Sequence, residues 1–437
     1  MSWLNFFQTT QTLHHTFGRG INATIATDEE DLFMKSFEAF EANDIINAYE
    51  YFFKSLMNFN DDISNENITY TKTAEKLDFC IYQGCAKVTG TITQEHLYAE
   101  AIIVKKELAN VALKRYILER NYQLTYAYYF TDDEYIKIKL YHDNITMSPQ
   151  KIFFPLREIA LNSDFDKEHI KHEFDTITLE DISHVKELEA KELRVKYNYL
   201  QKWIEEVETK VLTLPSNDNA SMQAFLYLNL LFKIDYLLVP KYAIYQKLSK
   251  VILEYFSQEQ TTIEAKNEEL QRYSQKLKKM TYETFAKNFY CAKYTFNPTE
   301  KSSYEDVINF INDSLAKIRW YKNNRYAQII PTIYKYMSFY ILYNYGLAPV
   351  VKELLHLLIE VQNVSYFEDL EYKPLYDETT QVFVKRTIIS RLDDIIENHA
   401  SRYKALESFS SELNFESLNE FSNNFFQQLQ ILNLEEN

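Results

Sequence analysis

Glycine is scarce in this chain, 5 residues among 437, and proline adds only 8. Loops that cradle phosphates need several glycines within a few residues, because a backbone without Cβ can approach a ligand closely. Gly18-Arg19-Gly20 is the one close pair, and no strand-like alternation precedes it, which excludes a Rossmann fingerprint and a P-loop. A G-x-S-x-G elbow and an H-E-x-x-H pair are missing as well, so the common hydrolase and zincin signatures are not there. Cysteine is equally sparse. Cys80, Cys85 and Cys291 make an odd number in a long chain, which argues against a secreted disulfide scaffold and for reduced thiols.

Long apolar runs are wanting too. The two most apolar windows, Phe225 to Val239 and Met337 to Val351, are interrupted by Asn229, Lys233 and Asp235 and by Asn344. Neither reaches the ~20 residues that a spanning helix needs, so no membrane span is expected. Met1 to Gly20 has no basic residue ahead of an uninterrupted apolar core, and the expectation is a chain without a secretory leader, in the cytoplasm. Positive charge is in deficit, 47 Lys and Arg against 63 Asp and Glu, a formal net charge of −16. Such a field repels phosphate backbones and disfavours general nucleic-acid binding, leaving a basic or apolar protein partner as the natural one.

What is present is an ordinary globular balance, 46% hydrophobic and 25% charged, long enough for two or three domains. The 35 Tyr and 30 Phe accompany an excess of Lys, Asn and Ile that A- and T-rich codons would produce. Asp28 to Phe59 predicts a helical hairpin: Leu32, Phe33, Phe37 and Phe40 recur at helical spacing, then Ile45, Ala48, Tyr49, Phe52 and Leu56. After a polar connector at 60–67, alternation takes over in Leu77-Phe79-Ile81, Ala86-Val88-Gly90 and Leu97-Ala99-Ala101-Ile103. Glu107 to Asn121 returns to helical spacing. A hairpin follows, with Leu124, Tyr126, Tyr128 and Phe130 before an Asp132-Asp133 turn and Ile136, Ile138 and Leu140 after it. Ser148-Pro149 then opens another helix. The order reads βββ-α-ββ-α, a five-stranded antiparallel sheet between about 68 and 143.

From Thr178 onward only helices are expected. Thr178-Leu179-Glu180-Asp181 offers an N-cap, and Leu193, Tyr197, Leu200, Ile204, Val207 and Val211 trace one buried seam. The stretch 215–220 holds the best internal break, and further helices are predicted over 221–238, 241–257, 259–296, 303–322, 326–345, 350–364, 377–400 and 415–433. The fold class is therefore α+β. It comprises an N-terminal helical hairpin (1–60), a small antiparallel module (68–175) and a large all-helical C-terminal half (178–437).

Candidate chemistry is thin. His169 and His172, three residues apart on a predicted helix with Asp164 and Asp166 upstream, offer metal donors, yet no second ligand set accompanies them and a solvated helix end explains them as well. Cys80 and Cys85 fall in predicted strands, where small side chains pack. The basic run Arg272 to Lys279 follows Glu264, Glu268 and Glu269, which suits a solvated, internally paired helix face. The aromatic series from Trp320 to Tyr345 has the helical spacing of a core. No metal or cofactor is expected.

The segments His96–Lys106, Asn110–Asn121, Thr125–Asp143 and Ser148–Asp164, taken in that order, resemble the fold shared by class I type III secretion chaperones and the YbjN-like family of bacterial proteins. The resemblance spans about residues 68–175, and the helical half is foreign to those small chaperones. Ala48 to Leu56 also resembles the second helix of a tetratricopeptide repeat, without a second copy at the ~34-residue period. What the resemblance implies is a non-catalytic module that binds a protein segment, often as a homodimer: an adaptor, a chaperone or a subunit of a larger assembly. The alternative is an enzyme whose site lies between C-terminal helices without a local signature. On the hairpin, Tyr126, Tyr128, Phe130, Ile136, Ile138 and Leu140 are expected to face the module's helices. Tyr129, Tyr135, Lys137, Lys139 and Tyr141 are expected on the other side, either packed under the C-terminal helices or serving as a partner-binding face.

Overall fold

The computed structural model describes residues 15–18, 27–57, 67–174, 176–215, 219–257, 260–292, 296, 302–400, 403, 406, 409 and 412–432. Most of the polar joins expected at 60–67 and 215–220 lie outside them, as do Arg19 and Gly20.

Two helices, α1 (Thr27–Glu41) and α2 (Ile45–Leu56), lead into strands β1 (Ile68–Lys72), β2 (Lys76–Gln83), β3 (Ala86–Thr93) and β4 (His96–Lys105). Helix α3 (Val111–Asn121), capped by the Asn110 side chain, precedes β5 (Tyr128–Thr131) and β6 (Tyr135–Asp143). The long α4 (Pro149–Glu173) starts at the expected Ser148-Pro149, with the Ser148 hydroxyl accepting the Lys151 amide. The strands form one antiparallel sheet in the order β1-β2-β3-β4-β6-β5. Its inner face carries the alternating residues read from the sequence, Leu77, Ile81, Val88, Leu97, Ala99, Ile138 and Leu140, and Ile92 beside them, all fully buried. α2 and α4 cover that face and share one core with it, Phe53 lying 5.0 Å from Phe79.

Six strands stand where five were expected. β1, Ile-Thr-Tyr-Thr-Lys, has a single buried apolar residue, Ile68, because an edge strand with one polar side needs little more. A β-bulge at Ile103 turns both Ile103 and Val104 inward.

Beyond the sheet the chain is mostly helical. β7 (Val185–Lys186) precedes α5 (Ala190–Leu212), and α6 (Ala220–Lys233) widens into a π-helical turn, Ile234–Leu238. Then come α7 (Tyr242–Ser257), α8 (Ile263–Lys278), α9 (Tyr282–Ala286), β8 (Cys291–Ala292), α10 (Tyr304–Asn323), α11 (Ile330–Asn344), α12 (Pro349–Gln362) and α13 (Val364–Asp369). The ribbon β9 (Tyr376–Asp377) and β10 (Val382–Phe383), then α14 (Lys385–His399) and α15 (Leu418–Ile431), complete it. α6 is apolar around its circumference, with Leu226 to Phe232 buried throughout, and packs centrally against α5, α8 and α11. Most of the aromatics between Tyr321 and Phe339 join this second core, while Trp320 is exposed.

Three helical expectations need correction. No helix starts at Thr178: Asp181 has φ +52°, a left-handed conformation that a helix start does not accept, and α5 begins only at Ala190. The stretch 259–296 is not one helix, since α8 ends at Lys278 and the Thr281 hydroxyl caps a new one by accepting the Thr284 amide. Residues 376–383 form a ribbon, its turn held by Asp377 accepting the Thr379 and Thr380 amides. Among the described residues no helix is long and apolar enough to cross a membrane.

Candidate functional site

Register decides which hairpin residues face outward. Thr131 pairs with Ile136, Tyr129 with Ile138 and Tyr128 with Lys139. Paired residues share a face, so odd positions of β5 lie with even positions of β6. The expected inward set on β6, Ile136, Ile138 and Leu140, is correct, whereas β5 is inverted. Tyr129 is a core residue, 8% exposed, and Tyr128 (47%) and Phe130 (40%) stand on the outer face. Tyr126 is exposed as well.

Tyr129 is inside because its hydroxyl has a partner there. Asp166, fully buried on α4, accepts from Tyr129 Oη, from Tyr116 Oη at 2.5 Å and from Arg120 Nε at 2.7 Å. Arg120 Nη2 donates on to Asn162 Oδ1 at 2.5 Å. Burial, followed by the Asp166 charge, pushes the Tyr129 phenol well above its usual range.

The outer face runs in cross-strand rows. One is Thr71-Asp78-Thr91-Tyr98-Tyr141 and the next is Thr69-Cys80-Thr89-Glu100-Lys139-Tyr128. A third joins Ile102, Lys137 and Phe130. The β1–β3 half is polar, and the β4–β6–β5 half is aromatic around a charged centre. Lys137 Nζ bridges Glu100 Oε1 and Asp132 Oδ2, both at 2.9 Å. Lys139 Nζ lies 3.9 Å from the Phe130 ring centroid and 3.7 Å from Glu100 Oε2. Partial burial alone would raise the Glu100 carboxyl, but hydrogen bonds from Tyr98 and Lys137 outweigh it and hold it below the usual range. Tyr141, 51% exposed, shares a hydrogen bond of 2.9 Å with His96 Nδ1.

Four of the five expected residues, Tyr135, Lys137, Lys139 and Tyr141, are thus on this face, and Tyr129 is not. Tyr98, Glu100, Tyr128 and Phe130 join them. Tyr98 and Glu100 were legible as the complement of the inward set Leu97-Ala99-Ala101.

Residues 180–184 cross one end of the outer face. His184 packs 5.0 Å from Tyr82, and Lys87 reaches Asp181 at 3.2 Å. The helical half meets the module elsewhere, mainly through α7 against α4. At that junction Asp164 accepts the Cys85 amide at 2.8 Å and Gln83 Nε2 at 3.2 Å, and Glu168 accepts Tyr290 Oη at 2.8 Å. Burial, then the charge of Asp164, pushes the Glu168 carboxyl up to about 8. Asp166, Lys167 and Glu168 are therefore interior groups, not the solvated helix end that the sequence suggested.

Further along α4, His169 stacks on Tyr116 with centroids 4.3 Å apart, and His172 lies beside Glu173. Among the described residues no group of three His, Cys, Asp or Glu could hold a metal ion. Burial pushes the Cys80 and Cys85 thiols up, opposite to the shift an activated nucleophile needs. Chemically, the outer face offers contact area and a few polar handles. No protein-family model matches the sequence, and no curated protein matches it.

Proposed function

We propose that the protein is a non-catalytic interaction protein and that the aromatic half of the outer sheet face docks a protein partner. The observation that carries this reading is the exposure of Tyr128, Phe130 and Tyr141 on one face, set around Glu100, Lys137 and Lys139, where among the described residues the helical half touches only the end crossed by residues 180–184. Interfaces favour Tyr and Phe because they give large contact area at low entropic cost. Lys137 and Lys139 are already paired, so the partner presents apolar side chains among polar ones instead of a block of negative charge. The succession β4-α3-β5-β6-α4 is the part of the chain that resembles secretion chaperones and YbjN-like proteins, and a segment-binding role on the sheet accords with that resemblance. A place as adaptor, chaperone or assembly subunit in the cytoplasm belongs to the same proposal.

The test is the triple variant Tyr128→Ser/Phe130→Ser/Tyr141→Ser. Surface replacements away from caps and buried networks usually change stability by about 0.5 kcal/mol or less each, so the melting temperature is expected to stay within a few degrees of wild type. A partner recovered with the wild-type protein is expected to be lost with the variant, and the same difference should appear when the complex is rebuilt from purified components. Unchanged binding by a folded variant would refute the docking face.

A further inference from the structure

His15-Thr16-Phe17-Gly18 precede the α1–α2 hairpin in the chain, yet they pack on the helical half. The Gly18 amide donates to Tyr236 O, in the π-helical turn after α6, at 2.7 Å. The Phe17 ring lies 5.0 Å from His356 of α12 and 5.3 Å from Phe367 of α13, centroid to centroid, and 6.1 Å from Tyr372 just beyond. His15 meets the same Tyr372, with centroids 5.5 Å apart and Nδ1 3.3 Å from its hydroxyl. Thr16, between the two rings, is exposed. Four residues that belong to no helix or strand are thus seated among the side chains of three elements more than two hundred positions away.

The seat has chemical requirements of its own. An α-helix would satisfy Tyr236 O from residue 240, but that is Pro240, which has no amide hydrogen. A π-helix would use residue 241, but the Lys241 amide goes to Asn288 O at 2.8 Å. The carbonyl is therefore left for a backbone donor from elsewhere in the chain or from another one. Glycine can bring that donor close: Gly18 has φ +72°, and a Cβ there would stand 3.0 Å from Tyr236 Cε2. The surrounding rings are held without help from the segment. Tyr236 Oη shares a hydrogen bond of 2.9 Å with His356 Nδ1, His356 Nε2 lies 3.2 Å from Glu360 Oε1, and Arg391 Nη2 donates to Glu360 Oε1 at 2.6 Å. Phe367 is 2% exposed within the helical core. The seat is thus built by the helical half alone, whereas Phe17 is only half-buried in it.

We propose that this seat is a recognition site for a protein segment in which an aromatic residue precedes glycine, that Phe17-Gly18 fills it as an intramolecular stand-in, and that a partner's segment of the same pattern replaces it. The contacts define the ligand: a ring among His356, Phe367 and Tyr372, then a residue without Cβ that carries its amide to Tyr236 O. Eight residues join Gly18 to Thr27 at the start of α1, and so short a tether gives the stand-in an effective concentration in the ~millimolar range. Exchange between two copies would reproduce the same contacts and forfeit the tether, so it gains nothing. A different protein gains wherever its ring fits the seat better than the half-buried Phe17.

The experiment compares the wild-type full chain with the full chain carrying Phe17→Ala and Gly18→Val, which empties the seat. The probe is a fluorescent peptide, Leu-His-His-Thr-Phe-Gly, the sequence of residues 13–18. Anisotropy is expected to show saturable binding to the emptied variant and binding to wild type weaker by about tenfold or more, because there the tethered segment competes. Peptides with Ala for the Phe, or Val for the Gly, should each bind the emptied variant weaker by about tenfold or more. The variant should keep the wild-type circular dichroism, since the helical half forms the seat unaided. No saturable binding to the emptied variant at millimolar peptide would overturn the proposal. So would equal affinity for wild type and variant, or equal binding of the Gly and Val peptides. An unfolded variant would show the segment to be a structural strap and would overturn it as well. Light scattering decides the remaining occupant: a wild-type dimer that the variant cannot form would put a second copy in the seat and overturn the assignment to a different protein.

Discussion

Replacing Asp166 by Ala is expected to cost about 3–5 kcal/mol of folding stability, the range for breaking a buried pair by removing one partner. The residue is fully buried and accepts from three donors, Arg120 Nε, Tyr116 Oη and Tyr129 Oη. Its loss strands a guanidinium whose side chain is only 10% exposed, together with two interior hydroxyls, because no other carboxylate pairs with Arg120 among the described residues. The Arg120 links to Asn162 and Gln123 remain but carry no negative charge. Tyr129→Phe removes one of those hydroxyls and should cost only ~1 kcal/mol, since it leaves no charge unpaired. Urea unfolding followed by far-ultraviolet circular dichroism measures both. A loss below 1 kcal/mol for Asp166→Ala would mean that the network does not hold α3, β5 and α4 together.

Gly84→Ala is expected to cost roughly 2–5 kcal/mol, summing a left-handed backbone penalty of ~1–2 with an overpacking cost of ~1–3. Gly84 has φ +52°, and a Cβ there would sit 2.3 Å from both carboxylate oxygens of Asp164. That carboxylate cannot simply move, because it accepts the Cys85 amide and Gln83 Nε2, and Gln83 Oε1 in turn accepts the Phe296 amide. Crowding at the β2–β3 turn therefore spreads into the junction with the helical half. Shortening the acid relieves the clash, so Gly84→Ala/Asp164→Ser should lose less than the sum of the two single losses. Melting temperatures of the three variants provide the check, and strict additivity would contradict the steric account.

The inner face of the sheet was legible because alternation in a half-buried strand has a period of two, and Leu77-Phe79-Ile81 and Leu97-Ala99-Ala101 display it without interruption. β5 deceived because Tyr126, Tyr128 and Phe130 are as apolar as any core strand, and the parity between β5 and β6 is set by the turn, not by hydrophobicity. Tyr129 turns inward for a polar reason, its hydroxyl meeting Asp166 thirty-seven residues later, and no local pattern announces such a pairing. The same holds for Asp164 and Glu168, whose partners Cys85 and Tyr290 are remote in sequence. In the helical half, Gly346 and Pro349 lie at the join between α11 and α12, but the break at Lys279–Thr281 contains neither residue type. Its only local sign is Thr281, whose hydroxyl caps α9. The outer face was partly readable as the complement of the inner one. What sequence could not supply was that α7 packs on α4 and that, among the described residues, the helices leave the aromatic part of this face exposed.

Whether that exposed face meets a partner is tested most directly by placing a photo-crosslinking amino acid at Phe130, and separately at Tyr141, in the full chain expressed in its native cell. A matched probe at Gln275, on the exposed side of α8, serves as control. The docking account predicts one discrete adduct common to positions 130 and 141 and absent from the control. No adduct at either position, or the same adduct from Gln275, would contradict it.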